Sequence, residues 1–193
     1  MRPALAASLV IAALTVAPIA YAQTSDKPEA VAPYAATLTL VVDAMLKLAD
    51  VGPNDFVIDL GSGDGRIVIA AATRFKARGG LGVDIEPKLV KYATDSAAQA
   101  GIADRVTFRE EDLYKTDVHE ASVVTVYLLP AAMPRLEQKL LAELKPGTRV
   151  VVQDYPFPTW RAERVIELRT PDKDTSVGTP YAQLFLYKVP AAK

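Results

Sequence analysis

The ten residues from Val57 to Arg66, VIDLGSGDGR, constrain this chain more than any other segment. An apolar run ends at Leu60, glycines follow at positions 61, 63 and 65, and a segment with helical apolar periodicity begins at once. Glycine belongs where a chain turns sharply, adopts positive φ, or lets a ligand approach bare backbone. A strand, a glycine turn and a helix opening on that turn form the first unit of an α/β fold. Exposed amides at such a helix start favour a negative group. The spacing, however, is not that of a dinucleotide site: G-x-G-x-x-G would put its third glycine at position 66, which is Arg66. The pattern is G-x-G-x-G with Asp59 before it and Asp64 within it. Two carboxylates there suit an amino group better than a pyrophosphate.

The rest of the chain alternates in the same way. Leu40, Val41, Ala44, Met45 and Leu48 predict a helix from Thr39 that stops before Gly52-Pro53. Strands are expected at 56–60, 80–84, 106–109, 123–128 and 149–154. Helices are expected at about 65–75, from Pro87 to about 100, and at 133–144. Such alternation with near-continuous apolar strands implies a doubly wound, mostly parallel sheet covered by helices on both faces. The segments RVIELRT and AQLFLYKV, joined by a turn-rich connection, break the rhythm and predict a closing antiparallel hairpin.

Composition narrows the chemistry. With 22 basic against 23 acidic residues the chain has no broad basic field, so duplex nucleic acid is not an expected partner. Absence of cysteine and a single histidine, His119, exclude thiolate metal sites, a cysteine nucleophile and a His-rich zinc cluster; no metal site is expected. Arg2, the uncharged run 3–22 and the tripeptide Ala20-Tyr21-Ala22 have the layout of a signal peptide cleaved after Ala22. The expectation is therefore a periplasmic or secreted protein. The alternatives are an uncleaved anchor, or a cytosolic protein with a misassigned start. Residues 23–36 read as a linker and 37–193 as one domain.

Two further carboxylates follow strand ends. Asp84, 23 residues beyond Gly61, closes the second strand in GVDIEP, where it can accept both hydrogen bonds of a ribose diol. Asp112, after the third strand in VTFREEDL, can accept from an adenine amino group. A ligand with an amino-acid end, a ribose and an adenine satisfies all these positions.

The ordered segments VIDLGSGDGR, GVDIEP, VTFREEDL, VVTVYLLP and LKPGTRVVV resemble those of the class I S-adenosylmethionine (SAM)-dependent methyltransferases. The resemblance implies a Rossmann-like methyltransferase sheet whose last, antiparallel strand lies between two others, with SAM across the strand ends. It implies that Asp59, Gly61, Ser62, Gly63 and Gly65 shape the methionine pocket, Asp84 holds the ribose, and Asp112 with Leu113 flanks the adenine. Arg66 and Glu86 are read as surface residues.

A narrower likeness joins YLLPAAMPRLEQKLLAELKPGTRVVVQDYPFPTW to the protein-lysine methyltransferases of archaea and to the mitochondrial enzymes that modify an ATP synthase subunit. That group often has Tyr-x-Pro-Thr before its first helix. Here Tyr34 and Thr37 match and the proline is absent. The resemblance adds Tyr34 and Thr37 to the cofactor-binding candidates.

The apolar strand VTVYLLP lacks the Asp or Asn with Pro-Pro-Tyr that holds a planar base amine. A lysine amine asks for something else. With an ordinary pKa near 10.4, only about one in 2,500 is neutral at pH 7. An apolar channel beside a sulfonium favours the neutral, nucleophilic form by desolvation and charge repulsion. The expected reaction is in-line methyl transfer to an amine, a protein lysine by preference. Tyr127 would orient the amine, Pro130 would shape the channel, Asp154 is an alternative orienting group or base, and Tyr155, Phe157 and Trp160 would form walls. Two other readings stay open: a methyltransferase for a small molecule, and a non-catalytic SAM-binding module. Membrane contact is expected through the N-terminal segment only.

Overall fold

A computed structural model describes residues 36–170 and 180–191. The expected signal segment, Tyr34 and nearly all of the linker lie outside the described residues. The described chain runs α1 (Thr39–Leu48), β1 (Phe56–Leu60), α2 (Arg66–Thr73), β2 (Gly79–Asp84), α3 (Pro87–Gln99), β3 (Val106–Glu110), β4 (Val123–Val126), a 3-10 turn (Pro130–Ala132), α4 (Met133–Glu143), β5 (Arg149–Gln153), β6 (Arg164–Arg169) and β7 (Tyr181–Lys188).

The strands form one seven-stranded sheet in the order β3-β2-β1-β4-β5-β7-β6. β1 to β5 run parallel to one another, and β7 is antiparallel to both β5 and β6. The expected mostly parallel sheet with its closing hairpin is therefore present, and the last strand lies between two others. All five parallel strands end on the same edge. The order reverses between β1 and β4, which opens the crevice where ligands bind in open α/β sheets.

Strand alternation explains the layers. Ile58, Leu60, Val124, Val126, Val150 and Val152 pack with Met133, Leu136 and Leu140 of α4 in one core. Val57, Val123, Val151 and Leu184 face the other way, onto Val42, Met45 and Leu46 of α1 and onto α2. Ala93 and Ala97 of α3 complete that side against Val68, Ala72, Val106 and Phe108. A small residue makes room for Phe108 of β3 on that side: a Cβ on Gly82 would stand 2.5 Å from its ring.

Two strands stop earlier than their apolar runs suggest. β4 ends at Val126, not Leu128, because its partner β1 ends at Leu60, the residue paired with Val126. Beyond it Leu129 is extended before Pro130, which has no N–H to give a ladder. β5 ends at Gln153 because Asp154 turns into the left-handed region at φ 62°.

Candidate active site

The turn after β1 is shaped by its glycines. Gly61, Gly63 and Gly65 all have positive φ, at 85°, 53° and 79°. The Gly61 and Ser62 amides donate to Val83 O, and the Gly63 amide donates to Asp84 Oδ2 at 2.8 Å. Gly65 serves packing as well, since a Cβ there would meet Phe108 and Ala93 at 2.6–2.7 Å. Ser62 Oγ is buried with no hydrogen-bond partner among the described residues.

Asp84 is held from two sides. Oδ2 accepts from Gly63 and Oδ1 from the Glu86 amide at 3.0 Å. Each oxygen keeps a second acceptor position, as a pair of vicinal hydroxyls requires. On the next loop Asp112 Oδ1 accepts the Tyr114 amide at 2.9 Å, and Leu113 is buried. Tyr114 braces that loop against the opposite wall: its hydroxyl donates to Ala132 O, and the Arg135 guanidinium stacks 3.8 Å above its ring. Neither role is announced by a motif.

The α1–α2 face of the sheet carries three polar residues: Asp59 and Thr125, paired across β1 and β4, and Gln153, two residues beyond Val151, the β5 partner of Thr125. Asp59, Thr125 and Gln153 follow the same alternation as Val57, Val123 and Val151, and all three are buried. Thr125 Oγ1 donates to Asp59 Oδ1 at 2.7 Å. Burial pushes the Asp59 carboxyl up to about 7, the Thr125 hydrogen bond opposes this, and the charges of Asp84 and Asp64 push it further up. Asp59 is thus poised between charged and neutral forms, ready to be ionised by a neighbouring cation.

Asp64 has a different employment from the one its place in the motif suggested. Its carboxylate grips Arg66, with Nε at 2.8 Å from Oδ1 and Nη2 at 2.5 Å from Oδ2. Arg66 in turn donates through Nη1 to Thr37 O at 2.7 Å. The reading of Arg66 as a plain surface residue is therefore corrected: it fastens the segment before α1 to the glycine turn. Glu86 is exposed, as read.

At the ends of β4 and β5 the expected acceptor residues come together. The partly buried Tyr127 faces the Asp154 carboxylate, and burial first, then the Asp154 charge and Tyr155, raise its hydroxyl above the ordinary tyrosine value. Asp154 is pinned through its own amide to Gln183 O at 2.8 Å and through Oδ1 to the Gln183 amide at 3.0 Å. Leu129, Pro130 and Tyr155 lie exposed around this pair. Phe157 does not wall a channel. It is buried in the core against Tyr187 (5.0 Å) and Trp160 (5.5 Å), and its amide donates to Tyr187 Oη. Thr37 is buried, its hydroxyl donating to Gln153 Oε1 at 3.1 Å.

The fold and this sequence of strand-end groups define a class I methyltransferase. Its cleft fits SAM: bare glycine backbone, a buried carboxyl poised at about 7, a two-oxygen acceptor for a ribose, and a loop carboxylate beside buried Leu113. The sequence of the ANTKMT methyltransferase domain family matches residues 59–164, and the chain belongs to that family. A protein-lysine N-methyltransferase of Saccharolobus islandicus is 38% identical over 70% of this chain and 84% of its own. A mouse lysine N-methyltransferase named for an ATP synthase subunit is 41% identical over 63% of this chain, which spans 45% of that protein's length. A solved structure from Salinibacter ruber, described as an RNA methyltransferase in complex with S-adenosyl-L-homocysteine, is 42% identical, with TM-score 0.74, over 82% of this chain and 96% of that one. The resemblance drawn from the motifs to the archaeal and mitochondrial lysine methyltransferases agrees with the first two of these relatives.

Proposed function

We propose that the chain transfers the methyl group of SAM to the ε-amine of a lysine in a protein. Bound SAM would supply an electrophilic methyl on a cationic sulfonium. In this reading Asp59 and the glycine turn, with Ser62, receive the amino-acid end, Asp84 takes the ribose, and Asp112 with Leu113 takes the adenine. The single observation that carries the acceptor assignment is the Tyr127–Asp154 pair at the strand ends. With the Tyr127 hydroxyl proton directed to the facing Asp154 carboxylate, the phenolic oxygen would be left to accept an N–H from a neutral amine. That contact aims the nitrogen lone pair, and alignment supplies most of the acceleration in such a transfer. The apolar surroundings of Leu128, Leu129 and Pro130 disfavour the charged ammonium, so no strong base is needed. Asp154 stands ready to balance the cation as it forms.

The Salinibacter relative gives RNA a claim as acceptor, which the balanced charge of this chain does not support. Incubation with methyl-labelled SAM and separate protein, RNA and small-molecule fractions of the host decides the matter. Label in protein, released as methyl-lysine, supports the reading; label confined to RNA or to small molecules overturns it. Export is part of the proposal, resting on Arg2, the uncharged run 3–22 and the Ala20-Tyr21-Ala22 site. Recovery of a chain beginning at Gln23 from the periplasm would support it, and an intact cytosolic chain would refute it. Among the described residues no helix is long and apolar enough to cross a membrane.

A further inference from the structure

Gln153, which no motif singles out, sits at the junction of three parts of the site. It is the last residue of β5, it is 3% exposed, and both ends of its amide are engaged. Oε1 accepts the Thr37 hydroxyl across a sequence separation of 116 residues, and Nε2 donates to Asp154 Oδ2 at 3.3 Å. Neighbours on a regular strand point to opposite faces. The left-handed turn at Asp154 brings its carboxylate round within reach of the Gln153 amide. On the other side the Thr37 carbonyl is held by Arg66, itself clamped by Asp64 of the glycine turn. A continuous hydrogen-bonded line therefore runs Asp64, Arg66, Thr37, Gln153, Asp154, from the cofactor turn to the carboxylate that faces the Tyr127 hydroxyl.

A glutamine in this place is chemically specific. Its carbonyl takes a proton donor and its NH2 serves a carboxylate; glutamate would accept from Thr37 but set a second negative charge against Asp154. A buried methionine of similar shape would do neither. We propose that Gln153 is a positioning residue for the methyl acceptor: its amide joins the Thr37 segment to the Asp154 carboxylate, so that Tyr127 keeps its orientation only while residues 36–38 are docked on the sheet. This rests on the reading of Tyr127 as the acceptor-orienting group. It makes the segment before α1 part of the acceptor site.

The test uses the full chain carrying 13C-labelled tyrosine, with the Tyr127 resonance assigned by its loss in Tyr127→Phe. Alkaline titration reads whether Asp154 still faces the hydroxyl; Tyr155 is the other titratable group beside it. Gln153→Met and Gln153→Glu should each displace the Tyr127 midpoint, downward for Met as Asp154 is released, by about half a unit or more. Thr37→Val should move it in the same direction as Gln153→Met, and Thr37→Ser should restore it. In Gln153→Met, affinity for S-adenosyl-L-homocysteine should stay within about twofold, while labelled methyl transfer to host protein falls about tenfold. A Tyr127 midpoint that is the same in Gln153→Met, Thr37→Val and the unmutated protein overturns the inference. Should Gln153→Met not fold, the Thr37→Val and Thr37→Ser pair decides it alone. An unmutated protein that binds the homocysteine but labels no protein refutes the proposed function instead, and the titration still judges Gln153.

Discussion

At the ends of β1, β2 and β3 the ligand-facing groups come from three short loops within residues 59–113, and most are backbone amides or carboxylates fixed by backbone amides. At the ends of β4 and β5 they are side chains, Tyr127 and Asp154, held by Gln183, Gln153 and, through Gln153, Thr37. In the proposed reading the first half recognises a ligand by the path of the main chain, and the second aims one by contacts between distant segments. The difference separates what should be common to many methyltransferases from what selects the acceptor. It also predicts how each half fails when it is cut.

The largest effect should come from the backbone-built half. Gly65→Ala puts a Cβ at positive φ, 2.6 Å from Phe108 and 2.7 Å from Ala93. Left-handed strain and overpacking together should cost about 2–5 kcal/mol in denaturant unfolding; a change below ~0.5 kcal/mol would mean that the turn is not rigid. Next is Asp84→Ala, which removes two charge-assisted acceptors and frees the Gly63 amide. Affinity for S-adenosyl-L-homocysteine should fall about 100-fold, read as loss of the ligand's thermal shift.

Asp59 sharpens the same half through pH. Its native carboxyl keeps its proton up to about 7, whereas in the unfolded chain it ionises near 3.8. The stability it contributes is full below 3.8 and is lost as pH rises through about 7. Asp59→Asn should flatten that decline by on the order of 1–3 kcal/mol in denaturation measured on either side of the window. In the unmutated protein, S-adenosyl-L-homocysteine should bind more tightly as pH rises through the same range, because its ammonium prefers the ionised carboxylate.

The smallest effect belongs to the acceptor half. Tyr127→Phe keeps the ring and removes one hydrogen bond, so methyl transfer to host protein should fall about tenfold, or ~1.4 kcal/mol, with homocysteine affinity unchanged. Equal losses in binding and transfer would erase the division between the halves.

The division also explains what can be read from the chain. Gly61, Gly63, Gly65, Asp84 and Asp112 lie next to the strands that place them, so local spacing reveals them. Asp59, Thr125 and Gln153 come to share one face only when β1, β4 and β5 are laid side by side, although each is a polar residue in an apolar strand and that anomaly is visible. Thr37 stands out by its likeness to a relative's motif, but its grip on Gln153 depends on a pairing 116 residues apart. Phe157 and Trp160 can pass for channel walls because nothing local announces Tyr187, the ring that joins them in the core. Arg66 reads as a surface residue because helix position alone does not show that its guanidinium reaches back to the segment before α1.

Titrating S-adenosyl-L-homocysteine into the full-length protein by calorimetry tests the central claim most directly. One site per chain, with binding strengthening as pH rises through about 7 and abolished or reduced about 100-fold by Asp84→Ala, is the result expected. No heat of binding from a folded, unmutated protein would contradict the account.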